Sequence, residues 1–304
     1  MSGVKLIVAL ALASVVYAAA MVGTASGGLA QEAGQVWNCD PQAPAAVGRG
    51  GVVREPDLGE VHQDLPASAK GKAGKKFKVT VPVYFHVVTD GAIGNLTAAQ
   101  IADQIEVLNV TFGGGEGGAR TGLTFELAGV TRTDNAKWFY SGPGGAEHEM
   151  KRTLHRGGAN ALNFYSTTAG AYLGWAYLPS IVTSPSQGYL DGVVVDWESM
   201  RGTSDAYAGQ FDQGETGTHE VGHWLNFEHT FFNGCNKWGD FVADTPPQKT
   251  PTSGCPVGKD TCPEPGLDPI HNYMDYSFDS CYTEFTPGQA QRMKDAWLFF
   301  RASG

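Results

Sequence analysis

One stretch restricts this chain more than any other: His219-Glu220-Val221-Gly222-His223-Trp224-Leu225-Asn226-Phe227-Glu228-His229. Residues four apart share a helix face, so His219 and His223 can hold one ion together. His229 comes six residues after His223, out of reach of that ion on a continuous helix. The chain must therefore turn sharply after Leu225. Such a turn calls for a left-handed residue, glycine by preference and asparagine next, and Asn226 stands there. Three imidazoles with one open position suit a catalytic zinc rather than a structural one. Glu220, beside the first histidine, is placed to act as general base on a water at that site. The spacing matches H-E-x-x-H-x-x-G-x-x-H at every fixed position but the glycine. A bare HExxH on an amphipathic helix arises by chance; the third histidine and the turn residue make chance a poor account.

The two ends of the chain read differently. Lys5 precedes an apolar run over residues 6–22, followed by small residues, the pattern of a secretory signal peptide over residues 1–20. Cleavage after Ala20 or as late as Ala30 fits equally, and an uncleaved anchor is the alternative. Residues 31–76 are rich in Ala, Gly, Pro and charge, with lysines crowding the end at Lys70, Lys72, Lys75 and Lys76. This reads as a pro-segment with a protease-sensitive junction. Residues 77–304 then form the catalytic domain. They carry 14 Lys+Arg against 25 Asp+Glu, which argues against nucleic-acid binding.

Along that domain, residues 77–88 alternate as a strand, with Pro82 marking an edge or a bulge. Thr97-x-x-Gln100 is a capping box for a helix carrying Ile101, Ile105 and Leu108 to about Phe112. Strands are expected over 123–131, 162–165, 172–178 and 192–197, and a short helix over 147–156. Glu147-His148-Glu149 is read as its solvated face. The active-site helix is expected to open on an Asp212-x-x-Glu215 capping box. A closing helix over about 287–301 would bury Ala290, Met293, Trp297 and Phe300. The pattern is α/β: an upper twisted mixed sheet packed with two or three helices. Below it, residues 231–282 hold four cysteines, many Pro and Gly, and almost no apolar period, as in a segment held by cross-links and ions.

Those four, Cys235, Cys255, Cys262 and Cys281, allow three disulfide pairings; a second zinc is the alternative, without paired C-x₂₋₄-C spacing. Cys39 is left over, either a thiolate that blocks the zinc or an ordinary free cysteine. Asp240 and Asp244 offer hard oxygens for calcium in a turn-rich loop, or Asp244 caps a turn. Asn95 and Asn109 head glycosylation sequons, the latter within a helix. His86, His148 and His155 have no metal spacing, and His271 is read as a structural hydrogen-bonding residue.

The zinc motif and the residues C-terminal to it resemble the pappalysin family of metzincin metalloproteases, especially its secreted fungal and ulilysin-like members. The matching pieces are Gly217-Thr218, His229-Thr230-Phe231, Asp240-x-Val242-x-Asp244-Thr245-Pro246 and Gly254-Cys255-Pro256. Asp268-Pro269-Ile270-His271-Asn272, Met274-Asp275-Tyr276 and Phe285-Thr286-Pro287-Gly288-Gln289 complete the set on that side. Upstream, Leu162-Asn163-Phe164-Tyr165 and Leu173-Gly174-Trp175-Ala176 are similar too. Asn226 departs from the family glycine, and Phe278 stands where many members carry an acid. The resemblance implies a sheet-and-helix half above an irregular disulfide-linked half, with the cleft between. It implies Met274 in a Met-turn beneath the metal, Tyr276 near the reacting oxyanion, and disulfides Cys235–Cys262 and Cys255–Cys281. It also implies calcium dependence, and Asp279 at the base of the pocket that receives the side chain after the cut bond.

The expected activity is that of a secreted zinc endopeptidase, monomeric, made as a latent precursor and acting on protein or peptide substrates. A carboxylate in the pocket favours cleavage before Arg or Lys. The competing readings are a catalytically inactive peptide-binding relative, which has no need of Glu220, and a zinc hydrolase acting on other bonds.

Overall fold

The computed structural model describes residues 54–60, 62, 64–70, 77–170 and 172–303; the apolar leader, both cleavage points and Cys39 lie outside them. Strand β1, Val79–Thr89, sends Val81, Val83, Phe85 and Val87 to one face by simple alternation. Helix α1, Ala98–Phe112, enters through the reciprocal Thr97–Gln100 capping box, and β2, Leu123–Asp134, comes next. Two short helices, α2 (Ala136–Phe139) and α3 (Gly145–Leu154), lead to β3 (Leu162–Thr167), β4 (Gly174–Ala176) and β5 (Val193–Asp196). The strands form one sheet in the order β2-β1-β3-β5-β4, parallel throughout except for β4 against β5. Parallel neighbours need crossover connections, so such a sheet is covered on both faces. Pro82 lies where β1 has β2 but not yet β3 beside it, one residue before the register slips between Val83 and Tyr84. Both halves of the expectation for Pro82 meet there.

On one face, the β1 side chains pack with Ile101, Ile105 and Leu108 of α1 and with Val221 and Trp224 of α4, Glu215–Trp224. On the other, Tyr165, Trp175 and Val194 meet Trp138, Phe139, Met150 and Leu154. Glu147 belongs to this second core rather than to a solvated face. It is fully buried, 3.0 Å from Lys151, and accepts from Trp175 Nε1 at 2.8 Å and Gly144 N at 2.9 Å. A partner one helical turn on, with Trp175, Gly144 and Tyr177 as donors to its oxygens, makes its burial tolerable, while His148 is half-buried and Glu149 exposed.

Helix α4 also starts differently from expectation. It is entered from Gly214, at φ 94°, with no side-chain cap, and Asp212 instead accepts from Gly209 N. Glu215 is buried inside the protein and does not reach back to close a box.

Residues 225–286 are mostly turns, tied by Cys235–Cys262 and Cys255–Cys281. They are not without a core, since Tyr273, Met274, Tyr282 and Phe285 join the main cluster. The closing helix α5, Pro287–Ala296, starts in a Thr286–Gln289 capping box and continues as a π-turn, Trp297–Arg301. Met293 and Trp297 are buried, whereas Ala290 and Phe300 are half-buried. No helix among the described residues is long and apolar enough to cross a membrane.

Arg301 ties the end of the chain to the end of α4. Wholly buried, it donates to Trp224 O at 2.7 Å, lies 3.5 Å from the Trp224 ring centroid and pairs both oxygens of Asp191 at 3.0 Å. A cation at a helix C-terminus also meets the carbonyl end of the helix dipole. Asp191→Ala strands that guanidinium without its counter-ion. Denaturant unfolding is expected to show a loss of about 3–5 kcal/mol; a loss below about 1 kcal/mol would mean that the carbonyls of Trp224 and Ala159 suffice to hold Arg301.

Candidate active site

Helix α4 delivers His219 and His223 on one face, and Asn226 then takes φ 77°, the left-handed turn the sequence called for. Phe227 N reaches back to Gly222 O at 3.1 Å, closing the helix, and His229 swings under its end. The His223 and His219 Nε2 atoms lie 3.1 Å apart, as do those of His223 and His229. Their far nitrogens fix the tautomer: His219 Nδ1 donates to Tyr273 O at 2.5 Å and His223 Nδ1 to Phe227 O at 2.8 Å. Both Nε2 lone pairs are thereby aimed at one point. Burial pushes His229 down to about 4 and also lowers His219, so both rings are neutral imidazoles in neutral solution. The Glu55 carboxylate holds His223 above its ordinary value against the effect of burial. Three buried, converging nitrogens fit a zinc ion by donor type and by direction.

Glu220 is buried on the same turn of α4, with Oε2 unpartnered among the described residues. Burial, with the Glu55 carboxylate nearby, raises its pKa well above the usual carboxylate range. Its place depends on a glycine: a Cβ on Gly174 of the edge strand would stand 2.6 Å from Glu220 Oε1. Met274 lies directly beneath α4, where a Cβ on Gly222 would come within 2.4 Å of its sulfur. The Met274 backbone is set by Asn272, whose side-chain oxygen accepts from Met274 N at 3.0 Å and whose amide pairs with Gln289. Tyr276 lies with its ring 5.7 Å from that of His219 and 4.9 Å from that of His229.

Asp279 is buried rather than solvated; its Oδ2 accepts from Gln213 N at 2.9 Å. Burial raises its pKa to about 6, and burial together with the Asp279 charge raises Glu215 to about 9. At neutral pH the pair therefore carries about one negative charge. Asp240 and Asp244 have separate hydrogen-bond partners. Asp244 is taken up at the start of α5 by Thr286 Oγ1 at 2.7 Å and Gly288 N at 2.8 Å. Asp240 stays in the loop: Oδ1 accepts from Val242 N and Thr245 Oγ1, while Oδ2 is buried and unpartnered beside a cavity of about 110 Å³.

The remaining candidates fall away from the site. His271 Nδ1 donates to Cys281 O at 2.6 Å, and His86 is buried between Thr131 and Asn163. The half-buried Asn109 amide donates to Ile105 O and Phe125 O and accepts from Phe125 N. Asn95 is exposed and accepts from Arg132.

Residues 54–70 hold what the sequence reading missed. Glu55 Oε1 lies 2.5 Å from His219 Nε2, and Oε2 lies 3.3 Å from His223 and 3.1 Å from His229. Arg54 donates to Tyr276 O and to Ser277 O, and its guanidinium lies 3.8 Å from the Phe211 ring centroid. Farther on, Glu60 accepts from Leu178 N, His62 pairs with Glu228 at 2.6 Å, and Asp64 pairs with Arg292 at 2.7 Å. Arg292 in turn donates to Asn226 O at 2.9 Å, so the arm is fastened to the turn that forms the site. No spacing rule connects an Arg-Glu pair in a low-complexity segment with histidines far along the chain.

Comparison with known proteins places this geometry. The family model described as Peptidase_M43, pregnancy-associated plasma protein-A, matches residues 174–297. An extracellular metalloprotease of Verticillium alfalfae is 44% identical over 298 residues, covering 94% of this chain and 98% of that protein. One from Arthroderma benhamiae is 44% identical over 229 residues, 74% of each chain. Mature mirolysin of Tannerella forsythia in complex with a cleaved peptide superposes with a TM-score of 0.60 at 30% identity, covering 71% of this chain and 90% of that one. A promirolysin mutant of the same organism gives 0.63 at 28% identity, over 76% and 84%.

The turn at Asn226 carries its own test. A left-handed backbone is hard for alanine and easy for glycine, by roughly 1–2 kcal/mol. Asn226→Ala is expected to lower unfolding stability by about that much, and Asn226→Gly to match or exceed the parent. Equal stability of the alanine and glycine variants would show that the turn is not confined to positive φ.

Proposed function

The chain belongs to the Peptidase_M43 family of pregnancy-associated plasma protein-A, and we propose that it is a secreted zinc endopeptidase made as a latent precursor. Residues 1–20, with cleavage as late as 30, are assigned to the signal, 31–76 to the pro-segment and 77–304 to the catalytic domain. The observation that carries the activity is the convergence of His219, His223 and His229 with the buried carboxylate of Glu220, whose Oε2 has no partner among the described residues. The extracellular metalloproteases it resembles support action outside the cell.

His219, His223 and His229 would hold the ion, which when bound polarises a carbonyl and acidifies a water. Glu220 takes the proton of the attacking water and returns it to the leaving amine; its raised pKa suits it to hold that proton between the two steps. Tyr276, packed against two of the histidines, is assigned as donor to the developing oxyanion. Edge strand β4 and the residues flanking it offer backbone N–H groups to a bound peptide, as Leu173 N and Leu178 N now do to the arm.

The pocket behind His219 is lined by Glu215, Tyr282 and residues of the Met274 turn, with Asp279 buried against Glu215. One net negative charge at neutral pH supports a preference for Arg or Lys immediately after the cut bond. Arg54 of the chain itself lies in this pocket, a basic side chain in the position proposed for a substrate's. Calcium is assigned to Asp240 alone of the two acids, on its unpartnered Oδ2. On its other oxygen, Asp240 accepts from Thr245 Oγ1 at 2.6 Å, and that hydroxyl also meets Val242 O at 2.7 Å. Burial holds the Asp240 carboxyl up at about 7, so a cation would bind more tightly as pH rises through that value.

Glu220→Ala is expected to keep fold and zinc and to lose peptide hydrolysis by about a thousand-fold or more; near-normal turnover by the metal-loaded variant would remove Glu220 from the chemistry. A proteome-derived peptide library, with cut sites read by mass spectrometry, is expected to show cleavage before Arg and Lys. Asp279→Asn should weaken that preference by about ten-fold, and an unchanged preference would take Asp279 out of the specificity pocket. Calcium at a hundred-fold excess over its Kd is expected to raise Tm by roughly 5–10 °C at fixed zinc, an increment lost in Asp240→Asn. A Tm indifferent to a calcium-selective chelator would leave Asp240 as a turn residue only.

A further inference from the structure

The acid at the histidine tips belongs to the N-terminal arm, and its placing asks what that arm does there. Both oxygens of Glu55 face the three Nε2 atoms, at 2.5, 3.3 and 3.1 Å. These three nitrogens and one carboxylate lie within the span of a single four-coordinate ion. The preceding residue fills the adjoining pocket. The Arg54 guanidinium reaches Tyr276 O and Ser277 O over the face of Phe211, leaving about 10 Å³ of free space among the pocket's walls. Its carbonyl accepts from Leu173 N at 3.1 Å. Six residues on, Glu60 accepts from Leu178 N, so the arm runs in the same direction as the segment leading through β4. What meets the histidines is thus a side-chain carboxylate. Beyond Glu55, the pairs His62–Glu228 and Asp64–Arg292 and the packing of Leu65 and Ala69 on Ala296 hold the arm down.

We propose that Arg54 and Glu55 are a built-in inhibitor: Glu55 is the fourth ligand of the zinc in the precursor, and Arg54 is the plug of the side-chain pocket. This rests on the zinc-endopeptidase reading and replaces the thiolate of Cys39 with a carboxylate as the group that keeps the precursor latent. A carboxylate is a competent zinc ligand, and the anchors on either side of it, Arg54 O on Leu173 N and Glu60 on Leu178 N, make its loss depend on release of the arm.

The test uses the full chain carrying Glu220→Ala, so that it cannot process itself, with cobalt in place of zinc. First, visible absorption establishes that cobalt binds and that His229→Ala abolishes the spectrum. Three nitrogens and one oxygen should give a tetrahedral ligand-field spectrum without a near-ultraviolet thiolate charge-transfer band. Cys39→Ser should leave it unchanged. Glu55→Gln should shift it and speed capture of the metal by a hydroxamate by about ten-fold or more, with Arg54→Ala doing the second without the first. Glu55→Asp, one methylene shorter, serves as a milder variant, and a melting curve on each confirms folding. A thiolate band that Cys39→Ser removes, or a spectrum indifferent to both Glu55 variants, overturns the proposal while leaving the zinc site standing. Absence of cobalt from the histidines overturns both.

Discussion

Everything in this structure that bears on chemistry depends on three imidazole nitrogens meeting within about the radius of one ion. Left to themselves, three buried ring nitrogens 3.1 Å apart are an unsatisfied cluster. Their convergence is enforced by backbone: Tyr273 O and Phe227 O hold the far nitrogens of His219 and His223. The positive φ of Asn226 returns the chain for His229. Arg292, midway along α5, and Arg301, in the π-turn that follows it, hold the carbonyls of Asn226 and Trp224. The C-terminal segment, far from the histidines in sequence, is therefore part of what fixes them.

The two halves of the catalytic domain divide the labour according to their folds. The sheet, packed on both faces except along β2, offers an edge at β4, and Gly174 in that edge leaves the room that Glu220 occupies. The turn-rich half offers Met274 beneath α4 and Tyr276 and Asp279 around the pocket, held by two disulfides and by the Asn272–Gln289 amide pair. The close approach of Met274 to Gly222 explains why the second variable position of the histidine motif carries no side chain. A larger residue there would push the helix away from its support.

Much of this was legible in the residues because it is local. The spacing of His219, His223 and His229 forced a helix and then a turn, and Asn226 is the residue type such a turn accepts. Apolar alternation gave β1, and the Thr97–Gln100 box gave the start of α1. What was not legible depends on partners distant in sequence. Glu147 reads as a surface acid until Trp175 and Lys151 are seen around it, and Asp212 reads as a cap until Gly214 is seen to bend the chain. Asp244 and Asp240 look alike in a loop; only the start of α5, a tertiary neighbour, separates them. The arm at 54–70 carries no period, no cap and no motif, so nothing local announced that Arg54 and Glu55 lie in the cleft.

The chemistry assigned to this protein requires one ion at one point. Anomalous scattering at the zinc edge, recorded from crystals of the full-length chain grown without added metal, measures it directly. A single strong peak is expected about 2.0–2.1 Å from the Nε2 atoms of His219, His223 and His229. No peak there, or a peak held by the cysteines of the lower half instead, would contradict the assignment.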